Sequence, residues 1–145
     1  ANLTTFDYSG VEDEYPEVTV TNALGKSATH VYAVVNGQRL PVSVDGQASA
    51  NCVASSQSYS YDGRAFLRAA RDWQGNLTEY VRDRKGRELL RTEAVGTPQQ
   101  RSVRTEWHPL FNLQTSRIEP GRTTNFSYDP QGNLLSTRIT DTSGQ

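Results

Sequence analysis

The feature that most constrains this chain is a short phrase that returns along it. Near the end it reads Tyr128-Asp129-Pro130-Gln131-Gly132-Asn133-Leu134. Weaker copies are Tyr80-Val81-Arg82-Asp83-Arg84-Lys85-Gly86-Arg87 and Tyr59-Ser60-Tyr61-Asp62. An aromatic, an aspartate, two spacers and a glycine, followed by strand-forming residues, make the grammar of a repeated β-hairpin. A unit of this size cannot bury its own apolar face and must stack on its neighbours.

The glycines keep nearly the same beat. Gly63 to Gly75 is 12 residues, Gly75 to Gly86 is 11, Gly121 to Gly132 is 11, Gly132 to Gly144 is 12, and Gly25 to Gly37 is 12. Turn signals at that spacing predict an all-β architecture. In Asp-x-x-Gly the carboxylate accepts a backbone N–H two residues on, and the glycine takes a positive φ without steric cost. The positions expected to carry this architecture are Tyr61, Asp62, Asp72, Gly75, Tyr80, Asp83, Gly86, Tyr128, Asp129 and Gly132. Aspartates and glycines set the turns, and tyrosines pack one face.

Between turns, period-2 alternation predicts strands. Phe126 and Tyr128 share one face, with Asn125 and Ser127 on the other; Val18–Thr21 and Ser58–Tyr61 alternate likewise. The 15 Thr and 12 Val suit a pleated surface. Two stretches, 65–70 and 87–94, have helix-friendly composition. Both follow a turn signal where other copies place a strand, so strands are expected there too.

With these phrases in register, the sequence resembles the RHS-repeat, or YD-repeat, family. The resemblance rests on Phe126–Leu134, Asp72–Asp83 and Thr19–Lys26, the last with Asn22 in place of aspartate. It takes in most of residues 19–145. Departures are Ala65 where the family has glycine, Arg82 in place of the second tyrosine before Asp83, and the irregular stretch at about 94–112. The resemblance implies antiparallel β-hairpin repeats forming a twisted, curved sheet, part of a shell. Residues 1–18 form an N-terminal strand and acidic loop leading into the array of 19–145. It further implies a non-enzymatic role in enclosing a C-terminal toxin domain for delivery to competing bacteria, with secreted or cell-surface location. The expected partners are adjoining repeats and that enclosed domain. Larger members carry an Asp-Pro-x-Gly-Leu autoprotease motif. Asp129-Pro130-Gln131-Gly132-Asn133-Leu134 is similar, but Asn133 interrupts it and an ordinary turn accounts for every residue.

Composition narrows the alternatives. At 145 residues the chain is one domain's worth. Leu, Ile, Val and Phe make up only about a fifth of it, so a thin core is expected, more stable beside further repeats. It contains no methionine and is expected to be cut from something longer. No apolar run is long enough for a membrane-spanning helix. Residues 1–60 hold six acids against Lys26 and Arg39, whereas 61–145 hold thirteen bases and ten acids. The bases are spread among acids, which argues against nucleic-acid binding. A cut array also leaves free strand edges, so self-association through an edge is expected.

Little points to chemistry. Cys52 stands alone among small polar residues and reads as incidental. The acidic run Glu12-Asp13-Glu14 lacks the ordered ligands and internal glycine of a calcium loop. His30 and His108 are candidates for a hydrolase, each with a carboxylate, but no serine elbow or metal-ligand spacing accompanies them. No cofactor is expected. Trp73, at a turn tip, and Trp107, beside a loop, could stack on glycans in a surface-binding module; the alternative is that both cover the thin core.

Overall fold

The computed structural model describes residues 3–9, 16–48 and 53–143. The fold is all-β and antiparallel, in two compact units, Ala1–Leu77 and Thr78–Gln145. The calls on Cys52, Gly144 and most of the acidic run at 12–14 lie outside the described residues.

The first unit is a meander of β1 (Thr5–Asp7), β2 (Glu17–Thr21), β3 (Ser27–Val35), β4 (Gln38–Gly46), β5 (Ser55–Tyr61) and β6 (Leu67–Arg71). Each strand pairs antiparallel with the next. Hydroxyls join its strands: Thr19 to Thr29 at 3.0 Å and Thr21 to Ser27 at 2.7 Å. Such cross-strand pairs are the unit of sheet stabilisation. Between β3 and β4 the chain reverses through Asn36 and Gly37 alone, at φ 50° and 74°. Positive φ at both positions is the type I′ turn, whose twist matches the flanking strands.

The second unit contains β7 (Leu77–Arg82, Leu77 being the last residue of the first unit), β8 (Glu88–Glu93), β9 (Arg101–Trp107), β10 (Gln114–Glu119), β11 (Arg122–Tyr128) and β12 (Leu134–Asp141). These again pair in chain order. The helix-friendly stretches 65–70 and 87–94 are occupied by β6 and β8. Pairing on both sides of β8, to β7 and β9, overrides local propensity there.

The core is as thin as the composition implies. Among the described residues Val103 is the one buried hydrophobic of the sheet, joined by the polar Thr105 and Ser116, all on β9 and β10. At the last strand Leu134, Leu135 and Ile139 are each more than half exposed.

Candidate functional site

The repeated turn is the most elaborately bonded feature of the chain. At Asp129 the backbone closes a five-residue loop: Asp129 N–H donates to Asn133 C=O at 2.9 Å, and Gly132 N–H donates to Asp129 C=O at 3.0 Å. Oδ1 accepts the N–H groups of Gln131 and Asn133 at 2.9 and 2.8 Å, and Oδ2 accepts Asn133 Nδ2 at 2.8 Å. Gly132 sits at φ 88°. The aspartate thus organises two otherwise orphaned backbone donors, and glycine supplies the left-handed residue.

Four further loops share this bonding. Asp72 accepts from Gln74 and Asn76, Asp83 from Lys85 and Arg87, Asp62 from Arg64 and Phe66, and Asn22 from Leu24 and Lys26. In the Asn22 loop an amide oxygen does what the carboxylate does elsewhere. The second carboxylate oxygen takes an asparagine or an arginine. Asn76 Nδ2 reaches Asp72 at 2.9 Å, Arg87 Nε reaches Asp83 at 2.7 Å, and Arg64 Nη2 reaches Asp62 at 2.6 Å. One glycine assignment is corrected. Gly63 does not occupy the left-handed position; Ala65 does, at φ 67°, with its N–H on Asp62 C=O at 2.9 Å. The loop counts from the aspartate, so the residue three places on must take positive φ whatever its identity.

These bonds shape the electrostatics. The Asn76 amide holds the Asp72 carboxyl below the usual carboxylate range, and Asn133 does the same for Asp129. Arg64 lowers Asp62. At Asp83, burial pushes upward, but the hydrogen bonds from Arg87 and Lys85 outweigh it and the net direction is down.

The residue before the aspartate follows a rule of its own. Tyr61 and Tyr128 end their strands, and each donates its hydroxyl to the preceding strand: Tyr61 to Pro41 C=O at 2.8 Å, Tyr128 to Gln114 C=O at 2.7 Å. Where arginine stands instead, it turns inward to its own loop. Arg71 donates to Gly75 C=O at 2.5 Å and Arg82 to Gly86 C=O at 3.1 Å. The ladders shift by one residue at Ser60/Tyr61, Val81/Arg82 and Ser127/Tyr128, so three of these turns enter through a β-bulge. Tyr80 is half-buried beneath the Arg82 guanidinium, 5.2 Å from its ring centroid.

Trp107 and His108 form a further copy that the sequence hides. The Trp107 indole donates to Glu88 C=O at 2.8 Å, as the tyrosines do to their neighbours. His108 takes the aspartate's part: Nδ1 accepts the N–H of Leu110 at 3.2 Å and of Phe111 at 3.1 Å. Its own N–H closes the loop on Leu113 C=O at 2.8 Å, and its ring stacks on Phe111 at 4.9 Å. Spacing supports the assignment. Asp62 to Asp83 and His108 to Asp129 are both 21 residues, while Asp83 to His108 is 25. The longer interval contains the Ala94–Gln100 connection, which has two turns of its own.

The other candidates find structural partners. Trp73 is 42% exposed, yet its ring edge lies back on Gly46, where a Cβ would stand 3.5 Å from Cζ3. Trp107 is half-buried with Arg87 over its ring at 5.3 Å. His30 lies in β3 opposite Val18 and Val44, whereas His108 belongs to its turn. Asp83 and Asp129 are each committed to their own loop. Among the described residues no cluster of His, Cys, Asp and Glu could hold a metal ion, and no helix is long and apolar enough to cross a membrane.

With this geometry in view, comparison with protein families gives a match between residues 111–145 and the family described as RHS Repeat. The matched stretch contains Tyr128, Asp129 and Gly132, the aromatic, acid and glycine of the best-formed loop. No curated protein matches the chain.

Proposed function

We propose, from a chain that belongs to the RHS-repeat family through residues 111–145, that it is a non-enzymatic segment of a β-shell that encloses a C-terminal toxin domain and helps deliver it in bacterial competition. A structural repeat role follows from the family. The enclosed toxin, the secreted or cell-surface setting and the adjoining repeats as partners are the further steps of this reading.

The observation that supports it best is the fate of the conspicuous acids. In the loops at Asp62, Asp72, Asp83 and Asp129, Oδ1 binds two backbone N–H groups and Oδ2 binds a side-chain donor. Carboxylates used in this way build turns and have little left for acid–base chemistry. A thin sheet with little buried apolar area also suits a wall stabilised by neighbouring units.

Limited proteolysis of the full-length gene product tests the reading. A long repeat-rich product whose C-terminal domain resists protease until the shell is denatured supports enclosure. A product of about this chain's length, or a C-terminal domain digested at the rate of the free domain, refutes it.

A further inference from the structure

Two adjoining cavities on one face of the second unit are left unexplained by the turns. The smaller, about 180 Å³, is lined by Glu88, Arg91, Val103, Thr105, Gln114 and Arg117. The larger, about 430 Å³, shares Glu88, Thr105 and Gln114 and continues past Trp107 to Lys85 and Asn112. Register explains the convergence. Arg91 on β8 stands opposite Val103, and Arg117 on β10 stands opposite Thr105, so two guanidinium groups flank β9 from either side.

The donors in the smaller cavity are incompletely satisfied. Nε of Arg91 and Nε of Arg117 are both withdrawn from water without a hydrogen-bond partner. Arg91 Nε lies 2.9 Å from Glu93 Oε1, an ion-pair distance without the alignment of a hydrogen bond. Arg117 is tied to Glu119 through Nη2 at 3.0 Å, which leaves its Nε unused. A buried N–H without an acceptor is unfavourable, and charged donors gain most from an anionic oxygen. Water could fill one such position, but two cations facing one small space favour a carboxylate.

The larger cavity supplies the rest of a ligand. Its lining is rich in cations and amides around the edge of an indole held in place by Glu88 C=O. A fixed aromatic beside amide groups suits the mixed apolar and hydroxyl surface of a pyranose.

We infer that the two cavities form one binding site for an acidic monosaccharide of the hexuronate type. The carboxylate sits between Arg91 and Arg117, and the ring lies beside Trp107 with its hydroxyls toward Asn112 and Gln114. This is separate from the shell role and holds whether or not a toxin is enclosed.

Titration of the isotope-labelled 145-residue chain with sodium glucuronate, glucose and sodium acetate, followed by NMR, tests it. The expected result is saturable shifts at Thr105, Gln114 and the Arg117 side-chain N–H with glucuronate, with affinity at least about tenfold above glucose and acetate. Arg117→Gln should remove that margin, and Arg117→Lys should retain part of it. Absence of saturable shifts overturns the site. Equal response to acetate reduces it to simple anion binding, and equal response to glucose removes the role of the arginines; either result overturns the inference. If Arg117→Gln melts out at the working temperature, the three-ligand comparison on the unaltered chain still decides.

Discussion

Tyr128 donates its hydroxyl to the carbonyl of Gln114 two residues beyond the point where their strands stop pairing, the last ladder pair being Asn125 with Ser116. Tyr61 stands in the same relation to Pro41, beyond Ser58 with Ser43, and Trp107 to Glu88, beyond Arg104 with Leu90. In all three, the aromatic is three residues past its last ladder partner, and the accepting carbonyl two residues before the other. The side chain therefore replaces a backbone bond where adjacent strands diverge toward their turns.

Tyr128→Phe and Tyr61→Phe should each cost about 0.5–1.5 kcal/mol, the worth of one part-buried hydrogen bond with its ring contacts retained. Trp107→Phe should cost more, since it removes the indole donor and part of the surface under Arg87. Denaturant midpoints for the three variants check this ordering. A neutral Tyr128→Phe would mean that water serves the Gln114 carbonyl equally well.

Ala65 is the strained member of the series, at φ 67° where the other turns place glycine. Ala65→Gly should stabilise the chain by about 0.5–1 kcal/mol, relief of left-handed strain exceeding the added entropy of the unfolded chain. Gly75→Ala is the mirror experiment. Gly75 has φ 85° and nothing within 4 Å of a new Cβ, so a loss of about 1 kcal/mol there is conformational and not steric. Opposite signs for the pair are the expected outcome in urea unfolding.

Acid should weaken the fold through the turns. The Asp62, Asp72, Asp83 and Asp129 carboxyls are all held below the usual range when folded. A lowered folded value means the stabilisation is complete above the unfolded value of about 3.9 and is lost as pH falls through the folded values. Thermal midpoints should therefore change little on this account from neutrality to about pH 5 and fall below about pH 4. Asn22 already fills the acceptor role with an amide. The double variant Asp72→Asn/Asp129→Asn should consequently keep its turns at neutral pH, be somewhat less stable there, and lose less on acidification than the unaltered chain.

How far the sequence discloses the fold depends on where each cause resides. Asp-x-x-Gly is legible because the side chain, its backbone donors and the left-handed residue all lie within five positions. Strand identity at 87–94 was legible only through the repeat, since local composition favours helix and the pairing that overrides it comes from β7 and β9. The bulges at Tyr61, Arg82 and Tyr128 were not legible, because the extra residue sits in the following strand and leaves the phrase intact. Nor was the convergence of Arg91 and Arg117 on Thr105, which needs the register of three strands. The Trp107–His108 copy was hidden by chemistry: an indole N–H replaces a phenol, and an imidazole nitrogen replaces a carboxylate. The 25-residue interval from Asp83 concealed the phase as well.

That hidden copy makes a decisive prediction. His108 Nδ1 accepts two backbone N–H groups, which requires that nitrogen to be unprotonated. The loop it organises sends Phe111 and Leu113 against the neighbouring turn, where a Cβ on Gly132 would meet them at 3.7 and 3.5 Å. His108→Ala removes the acceptor and the ring that stacks on Phe111, and should destabilise by about 1–2 kcal/mol. His108→Asp and His108→Asn restore an oxygen at the same place, as at Asp129 and Asn22, and should recover much of that loss. Amide hydrogen exchange at Leu110 and Phe111 reads the bond directly: fast in the alanine variant, slowed again in the other two. Unchanged protection at both amides in His108→Ala would show that the loop stands without its imidazole, and that Trp107-His108 is not a working copy of the tyrosine–aspartate turn.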